Sequence, residues 1–291
     1  MIPAPARRND IVGATYLLLS GAALVVALAM IKHVARELPD TVVVFFRHLV
    51  AAACFAPILW RSGRAMLRTD RLAGHALRSA CGYGGFLAFV YAVGRMPIAD
   101  AMALAFTQPL WSAMFARVVF GERLGALRIA AILLGFAGAM LVLKPSGALA
   151  LPALAALLNA LLSSVAMMTV KQLSATEPPE RIAMFFMVVA MLLSIPPAAL
   201  NWATPPVALW PWLIAIGVLA WAGQVCLSRG YALGRFSAMA AMDFTRLPIA
   251  VALGWVLFAE APDLAVLAGM AAIAVASAII VLMPSAGRAA R

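Results

Sequence analysis

Ten apolar runs, each close to the length of a membrane span, follow one another along the chain with short polar connections between them. They cover about 11–31, 39–60, 72–94, 97–119, 126–143, 149–171, 181–201, 209–233, 237–259 and 263–283. A helix needs roughly 20 predominantly apolar residues to cross a hydrocarbon core. The predicted fold class is therefore an all-α integral membrane protein with ten transmembrane helices. The first run follows Arg7-Arg8 and contains Ala27-Leu28-Ala29, a pattern that cleavable leaders share. Its length, and the helix its removal would take from the first half, favour a retained span.

Two of the runs are interrupted in the same way. Phe106-Thr107-Gln108-Pro109 breaks the fourth, and Phe244-Thr245-Arg246-Leu247-Pro248, with Asp243 just before it, breaks the ninth. Their surroundings repeat as well. Tyr91-Ala-Val-Gly-Arg95 precedes the first break and Tyr231-Ala-Leu-Gly-Arg235 the second; Phe120-Gly-Glu122 follows one and Phe258-Ala-Glu260 the other. The chain thus reads as a duplication with its boundary at Lys144-Pro-Ser-Gly147. A tail at 1–10 leads into a first repeat of five helices at 11–145. A second repeat of five spans 146–283, and 284–291 forms the closing tail. Five is odd, so the second repeat enters the bilayer from the opposite face and the repeats are inverted. Paired interruptions at corresponding positions point to the binding site of a secondary transporter. Pro109 and Pro248 are its expected helix-break hinges, because each removes a backbone donor from mid-helix.

Composition agrees with the pattern: 65% of residues are hydrophobic, 11% are charged, and the mean hydropathy is +1.01. The formal net charge of +11 does not indicate nucleic acid, because the basic residues are dispersed between apolar runs without a dense footprint. The expected partners are the lipid bilayer and a small-molecule substrate, with the protein a monomer or homodimer. The face that carries both termini collects Arg7, Arg8, Arg61, Arg64, Arg68, Arg71, Arg123, Arg128, Lys171, Arg181, Arg235, Arg288 and Arg291. The other collects only Lys32, Arg36, Arg95 and Lys144. Basic connections stay on the cytoplasmic side, so the expected topology is a bacterial inner (plasma) membrane protein with both termini cytoplasmic. Cys54, Cys81 and Cys226 lie inside apolar runs and read as small core residues. No paired-histidine zinc motif, nucleophile elbow or phosphate loop with its lysine is present. Neither a catalytic residue, a metal nor a cofactor is expected. Uphill movement would then draw on an ion gradient or on the substrate's own.

Phe46-Arg47, Arg95-Met-Pro-Ile-Ala-Asp100-Ala-Met-Ala-Leu104, Pro109-Leu-Trp111 and Phe120-Gly-Glu-Arg123 carry a resemblance in the first half. In the second half it lies in Thr176-Glu-Pro178, Ser228-Arg-Gly-Tyr-Ala232, Asp243-Phe-Thr245 and Gly254-Trp-Val-Leu-Phe-Ala-Glu260. Together these resemble the EamA-type members of the drug/metabolite transporter (DMT) superfamily over nearly the whole chain. The resemblance implies a central cavity built from spans one, three, four, six, eight and nine. The chain departs from the family pattern at Ala259, where glycine is usual, and at Arg246, where an apolar residue is frequent.

Few ionisable groups lie deep. Counting about 1.5 Å per residue, Arg47 and Arg246 both fall near the midplane of a core about 30 Å thick. Asp243 precedes Arg246 by one helical turn, so the two can pair. That pair is either an ion pair that neutralises itself or part of the cavity wall; Asp243 is also the candidate proton carrier. Arg47 either bonds backbone carbonyls or faces an anionic group. His48 reads as packed, while Arg78, Arg117 and Arg229 are placed to snorkel. Gln108 stands where Arg246 stands in the other repeat. Tyr83, Trp111, Phe244 and Trp221 supply aromatic wall candidates, and Asn159, Ser163, Ser164, Gln224 and Ser228 polar ones. Glycines at 82, 84 and 85, and at 135 and 138, read as close helix contacts.

The substrate-binding set is therefore expected to be Arg47, Tyr83, Gln108, Trp111, Asn159, Gln224, Asp243, Phe244 and Arg246. The function read from these features is a secondary transporter of a small anionic or zwitterionic metabolite. An amino acid or amino-acid-derived cofactor fits, moved by alternating access around a midplane cavity. Proton coupling and facilitated exchange both stay open. The competing readings are a membrane-embedded enzyme or lipid-handling protein, a channel, and a broad-specificity drug exporter.

Overall fold

The computed structural model describes residues 4–93, 95, 98–122, 124–143, 151–258 and 262–282. Met96, Pro97, Arg123, the repeat boundary Lys144–Gly147, Ala259, Glu260, Arg288 and Arg291 lie outside the described residues. Thirteen α-helices form among the described residues: α1 (Ala4–Val34), α2 (Asp40–Ala53), α3 (Ala56–Ser62), α4 (Leu72–Val93), α5 (Ile98–Ala105), α6 (Gln108–Phe120), α7 (Ala126–Leu143), α8 (Leu151–Leu173), α9 (Pro179–Leu200), α10 (Trp210–Leu233), α11 (Phe236–Ala241), α12 (Arg246–Phe258) and α13 (Leu264–Leu282). They make ten spans, because three spans are broken. Span two is α2 and α3, span four α5 and α6, and span nine α11 and α12 joined by a tight turn at Met242–Thr245. Eight stretches among the described residues are long and apolar enough to cross a membrane; α4 and the α5–α6 pair complete the ten. The helix α1 runs back to Ala4, through most of the segment read as a tail.

The break in span two adds to the two expected from sequence. Pro57 offers no N–H to the carbonyl one turn earlier, so α2 ends at Ala53 and α3 restarts at Ala56. The two expected breaks are alike in detail. Thr107 donates its hydroxyl to the Leu104 carbonyl at 2.7 Å, and Thr245 donates to Met242 at 2.6 Å. Each threonine thus satisfies a carbonyl on the turn that its proline interrupts.

The packing pairs follow the order of the spans in the two halves. Helix α1 lies along α10, α4 along α8, α2 along α9 and α7 along α13. Exchanging the two halves turns the α1–α10 pair (spans one and eight) into the α8–α4 pair (spans six and three). The other two pairs map onto themselves, as they must beside a twofold axis. Without a hydrophobic drive between helices in lipid, small residues and close approach hold such pairs together. Gly138 on α7 and Gly269 on α13 carry this furthest: a Cβ on Gly138 would sit 2.7 Å from the Gly269 carbonyl oxygen, and one on Gly269 2.6 Å from that of Gly138. Gly138→Leu is expected to lower the unfolding temperature of the purified protein, since overpacking costs about 1–3 kcal/mol. An unchanged melting curve would show that α7 and α13 do not need this approach.

The face where α1 begins and α13 ends is tied shut. Asp10 accepts hydrogen bonds from the Arg235 backbone N–H at 2.9 Å and from its Nε at 2.6 Å. Glu122 caps α11, accepting from Phe236 N at 2.9 Å and from the Ser237 hydroxyl. Lys171 Nζ donates to the Gly234 carbonyl at 2.6 Å. Above this knot Leu17, Tyr231, Phe236 and Met239 belong to the largest buried cluster. On the same face Glu177 accepts from Thr69 at 2.6 Å and pairs with Arg181. Burial alone would push the Glu177 carboxyl up, but those two hydrogen bonds and the Arg181 charge outweigh it and hold the group below its ordinary value.

Candidate functional site

A cavity of about 380 Å³ opens between the two halves. That is ample for a small metabolite, whose pockets span roughly 300–1,000 Å³. Its lining residues stand at the middle of the spans and in the halves nearer the face opposite the start of α1. Leu24, Val25 and Leu28 come from α1, Tyr83, Phe86 and Phe89 from α4, Met102 and Ala105 from α5, and Leu247 and Ala250 from α12. Polar groups enter this apolar shell at few points: Arg47, His48, Gln108, Asn159, Ser163, Gln224, Asp243 and Arg246.

The two helix breaks meet here. Gln108 Nε2 donates to Asp243 Oδ2 at 3.0 Å, and Arg246 Nη2 lies 3.0 Å from Asp243 Oδ1. One carboxylate is therefore held by Arg246, at the start of the helix that follows its turn, and by Gln108, at the corresponding break in the other half. Directly beside it Phe106 and Phe244, also repeat-equivalent, stack with ring centroids 6.1 Å apart and planes at 18°. Local sequence explains the convergence. Each proline ends a helix just before the polar residue, so both break points turn side chains toward the same central space. Asp243 is only 6% exposed, whereas Arg246 extends further into the cavity.

Arg47 stands apart from this cluster on α2. Its Nε is buried without a hydrogen-bond partner. Among the described residues it forms no ion pair, and neither a carbonyl nor a carboxylate accepts from it. Its neighbour His48, read from the sequence as merely packed, also lines the cavity, its Nδ1 2.8 Å from the Val44 carbonyl oxygen. Tyr83 lines the wall and anchors span three by donating to the Leu193 carbonyl at 3.1 Å. Asn159 uses its amide to bind α8 to α4, donating to the Gly85 carbonyl at 2.8 Å. Ser163 lies one turn on, beside it.

Other residues take places that differ from the expected ones. Trp111 and Trp221 do not line the cavity, and Phe244 is buried behind Phe106 against Gly135 rather than exposed to the space. Ser164 is spent on a hydrogen bond to Ser112 at 2.8 Å, and Ser228 is buried. Spans two and seven contribute to the wall through Arg47, His48 and Phe186, in addition to the six spans expected. Arg78 does not snorkel. It is 3% exposed, with its guanidinium 4.0 Å over the Phe186 ring and Nη2 3.4 Å from Gln224 Oε1. The signal available for it was the run Gly82-x-Gly84-Gly85 one turn further on, which leaves room beside the helix for a large side chain.

Comparison with known proteins places these features in a wider group. Residues 11–144 match the EamA-like transporter family. A riboflavin transporter of Rhizobium johnstonii is 31% identical over 256 residues, covering 87% of this chain and 85% of that protein. The pseudopaline exporter CntI of Pseudomonas aeruginosa is 29% identical, covering 85% and 88%. An S-adenosylmethionine uptake transporter of Rickettsia bellii is 25% identical, covering 87% of each. A protein of known crystal structure, 19% identical, shares the fold with a TM-score of 0.80 over 94% of this chain and 96% of that one.

Proposed function

Since this chain belongs to the EamA-like transporter family of the drug/metabolite transporter superfamily, we propose that it carries a small anionic or zwitterionic metabolite by alternating access around the midplane cavity. The chain is a multi-pass membrane protein and a transporter rather than an enzyme. The relatives are named for pseudopaline, riboflavin and S-adenosylmethionine, and for both export and uptake, so neither substrate nor direction transfers from them. One observation carries the reading of charge. Arg47 reaches the cavity without a counter-ion among the described residues, and a guanidinium held in low dielectric recruits a carboxylate or phosphate into two parallel hydrogen bonds. The Asp243–Arg246 pair offers a zwitterion a second set of contacts, the carboxylate for an ammonium group. Amino acids and amino-acid-derived cofactors meet both demands. Pro109 and Pro248 act as hinges, because at each break the helix is already interrupted and its half can tilt at low cost.

The membrane is the bacterial inner membrane, with both termini on the cytoplasmic face. On that topology the cavity faces the periplasmic side, and the Asp10–Arg235 and Glu122–Phe236 contacts close the cytoplasmic one. A cysteine placed at Arg64 is expected to remain unlabelled by an impermeant maleimide applied to intact cells and to label after lysis. Strong labelling before lysis would reverse the orientation.

The test of function is a thermal-shift screen of the purified protein against a metabolite library, followed by solute counterflow in proteoliposomes. A ligand of the folded state raises the apparent stability. A carrier then accelerates labelled uptake when unlabelled substrate is trapped inside, whereas a channel gives no such acceleration. Stabilisation only by cations or by uncharged amphiphiles would remove the anionic reading and favour a drug exporter.

A further inference from the structure

Beneath the cavity, one turn from Gly82 toward the closed face, lies a charge that the proposed binding mode does not use. Arg78 is almost fully buried; among the described residues its Nε has no partner and its one hydrogen bond is the long contact of 3.4 Å to Gln224. Among the described residues it forms no ion pair. Phe186, Gln224 and Gly82 all touch it, and all three line the cavity. Gly82 is decisive: a Cβ there would lie 2.3 Å from Arg78 Nη1 and 2.9 Å from Phe186 Cε2. The guanidinium therefore occupies the space a side chain at position 82 would fill, and it packs directly behind the cavity-lining residues Gly82, Phe186 and Gln224 because that side chain is missing.

We infer that Arg78, with Gln224, forms a second anion subsite at the inner end of the cavity, so that the substrate carries two acidic groups, carboxylates or phosphates. The inference rests on the reading of Arg47 as the first anion subsite. The charge balance supports it. Asp243 compensates Arg246, and this leaves Arg47 in the cavity wall and Arg78 behind it without an ion-pair partner among the described residues. Occluding such a site empty is costly, and a substrate with two negative charges neutralises it. The separation points to two groups on a spacer. Counting about 1.5 Å per residue from the helix ends at the open face, Arg47 on α2 and Arg78 on α4 enter at depths that differ by roughly 12 Å. A single phosphate serves that arrangement less well.

The probes are glutarate and pimelate, the monocarboxylates butyrate and heptanoate, and inorganic phosphate, each titrated by thermal shift against the purified full chain. In the unaltered protein each dicarboxylate is expected to bind roughly ten- to hundredfold more tightly than its monocarboxylate partner, and more tightly than phosphate. Arg78→Gln should bring the dicarboxylates down to the monocarboxylate level and leave the monocarboxylates unchanged. Gly82→Ala keeps the charge but displaces the guanidinium, and should do the same. It decides the matter if Arg78→Gln does not fold. Dicarboxylates no tighter than monocarboxylates, or an advantage that survives in the folded variants, would overturn the second subsite. If monocarboxylate binding is present and disappears in Arg47→Met, the first subsite stands whatever becomes of the second. If no probe binds and Arg47→Met changes nothing, both fall together.

Discussion

Arg47→Met is expected to yield a protein that is more stable than the original and does not transport. In most membrane proteins a lost deep charge would break a pair, but here there is no described partner to strand. Methionine keeps an unbranched apolar stem of similar length, so the packing on α2 survives while the desolvated charge goes. Relief of part of the penalty for a charge at this depth is worth about 1–2 kcal/mol, which raises the unfolding temperature by roughly 2–8 °C. Transport should fall by at least one to two orders of magnitude, the worth of a charge-assisted hydrogen bond or two. Arg47→Lys keeps the charge and loses the planar fork. It should retain the original stability and bind substrate more weakly. A destabilised Arg47→Met would place the residue among the structural arginines instead, and thermal unfolding in detergent beside an uptake assay reads both quantities.

The Asp243–Arg246 pair responds in the opposite sense. Removing either partner alone leaves the other charge buried and unpaired, a loss of several kcal/mol. The Gln108 hydrogen bond to Asp243 softens the loss of Arg246 but does not replace its charge. Arg246→Lys is expected to fold and to bind substrate about ten- to hundredfold less well, because a lysine cannot hold Asp243 and an anionic group in one planar arrangement. The double change of Asp243→Asn with Arg246→Gln removes both charges together and keeps hydrogen-bonding groups facing Gln108. It should fold. A further variant separates the coupling roles: Asp243→Asn alone should abolish pH-driven accumulation while exchange persists, provided the carboxylate carries the proton. Survival of both activities would leave Asp243 as the partner of Arg246 only.

The broken spans are legible in the chain because their causes are covalent. Proline at 109 and 248 removes a donor wherever it stands, and the threonine two or three residues before each donates its hydroxyl to a carbonyl three residues back, on the interrupted turn. The one-turn spacing of Asp243 and Arg246 likewise suffices to predict their contact. The internal echo places Gln108 opposite Arg246, but only the folded chain brings both onto one carboxylate. Depth is readable along an apolar run; direction around the helix is much less so. Hydrophobicity does not distinguish a lipid-facing side from a packed one, since both are apolar. For that reason the pattern alone counts Trp111 and Phe244 among the wall residues and omits Phe186 and His48. Arg78 escapes for a related reason. Counted from the nearer helix end it is shallow enough to snorkel, and only the space beside Gly82 and the ring of Phe186 turn it inward. The break at Cys54–Phe55 has its proline at position 57 in plain view, but no polar residue beside it to mark the interruption as a site.

On the proposed mechanism substrate passes through the cavity where the two broken helices meet and is held there by Arg246 and Asp243 as well as by Arg47. Solute counterflow by the double variant Asp243→Asn/Arg246→Gln, reconstituted after it has been shown monodisperse in detergent, tests this most directly. The expected result is a variant that folds, inserts and gives no counterflow of a substrate that the original protein exchanges. Counterflow near the original rate by the well-folded variant would contradict that mechanism and leave the pair as an internal neutralisation, with the transport path elsewhere in the molecule.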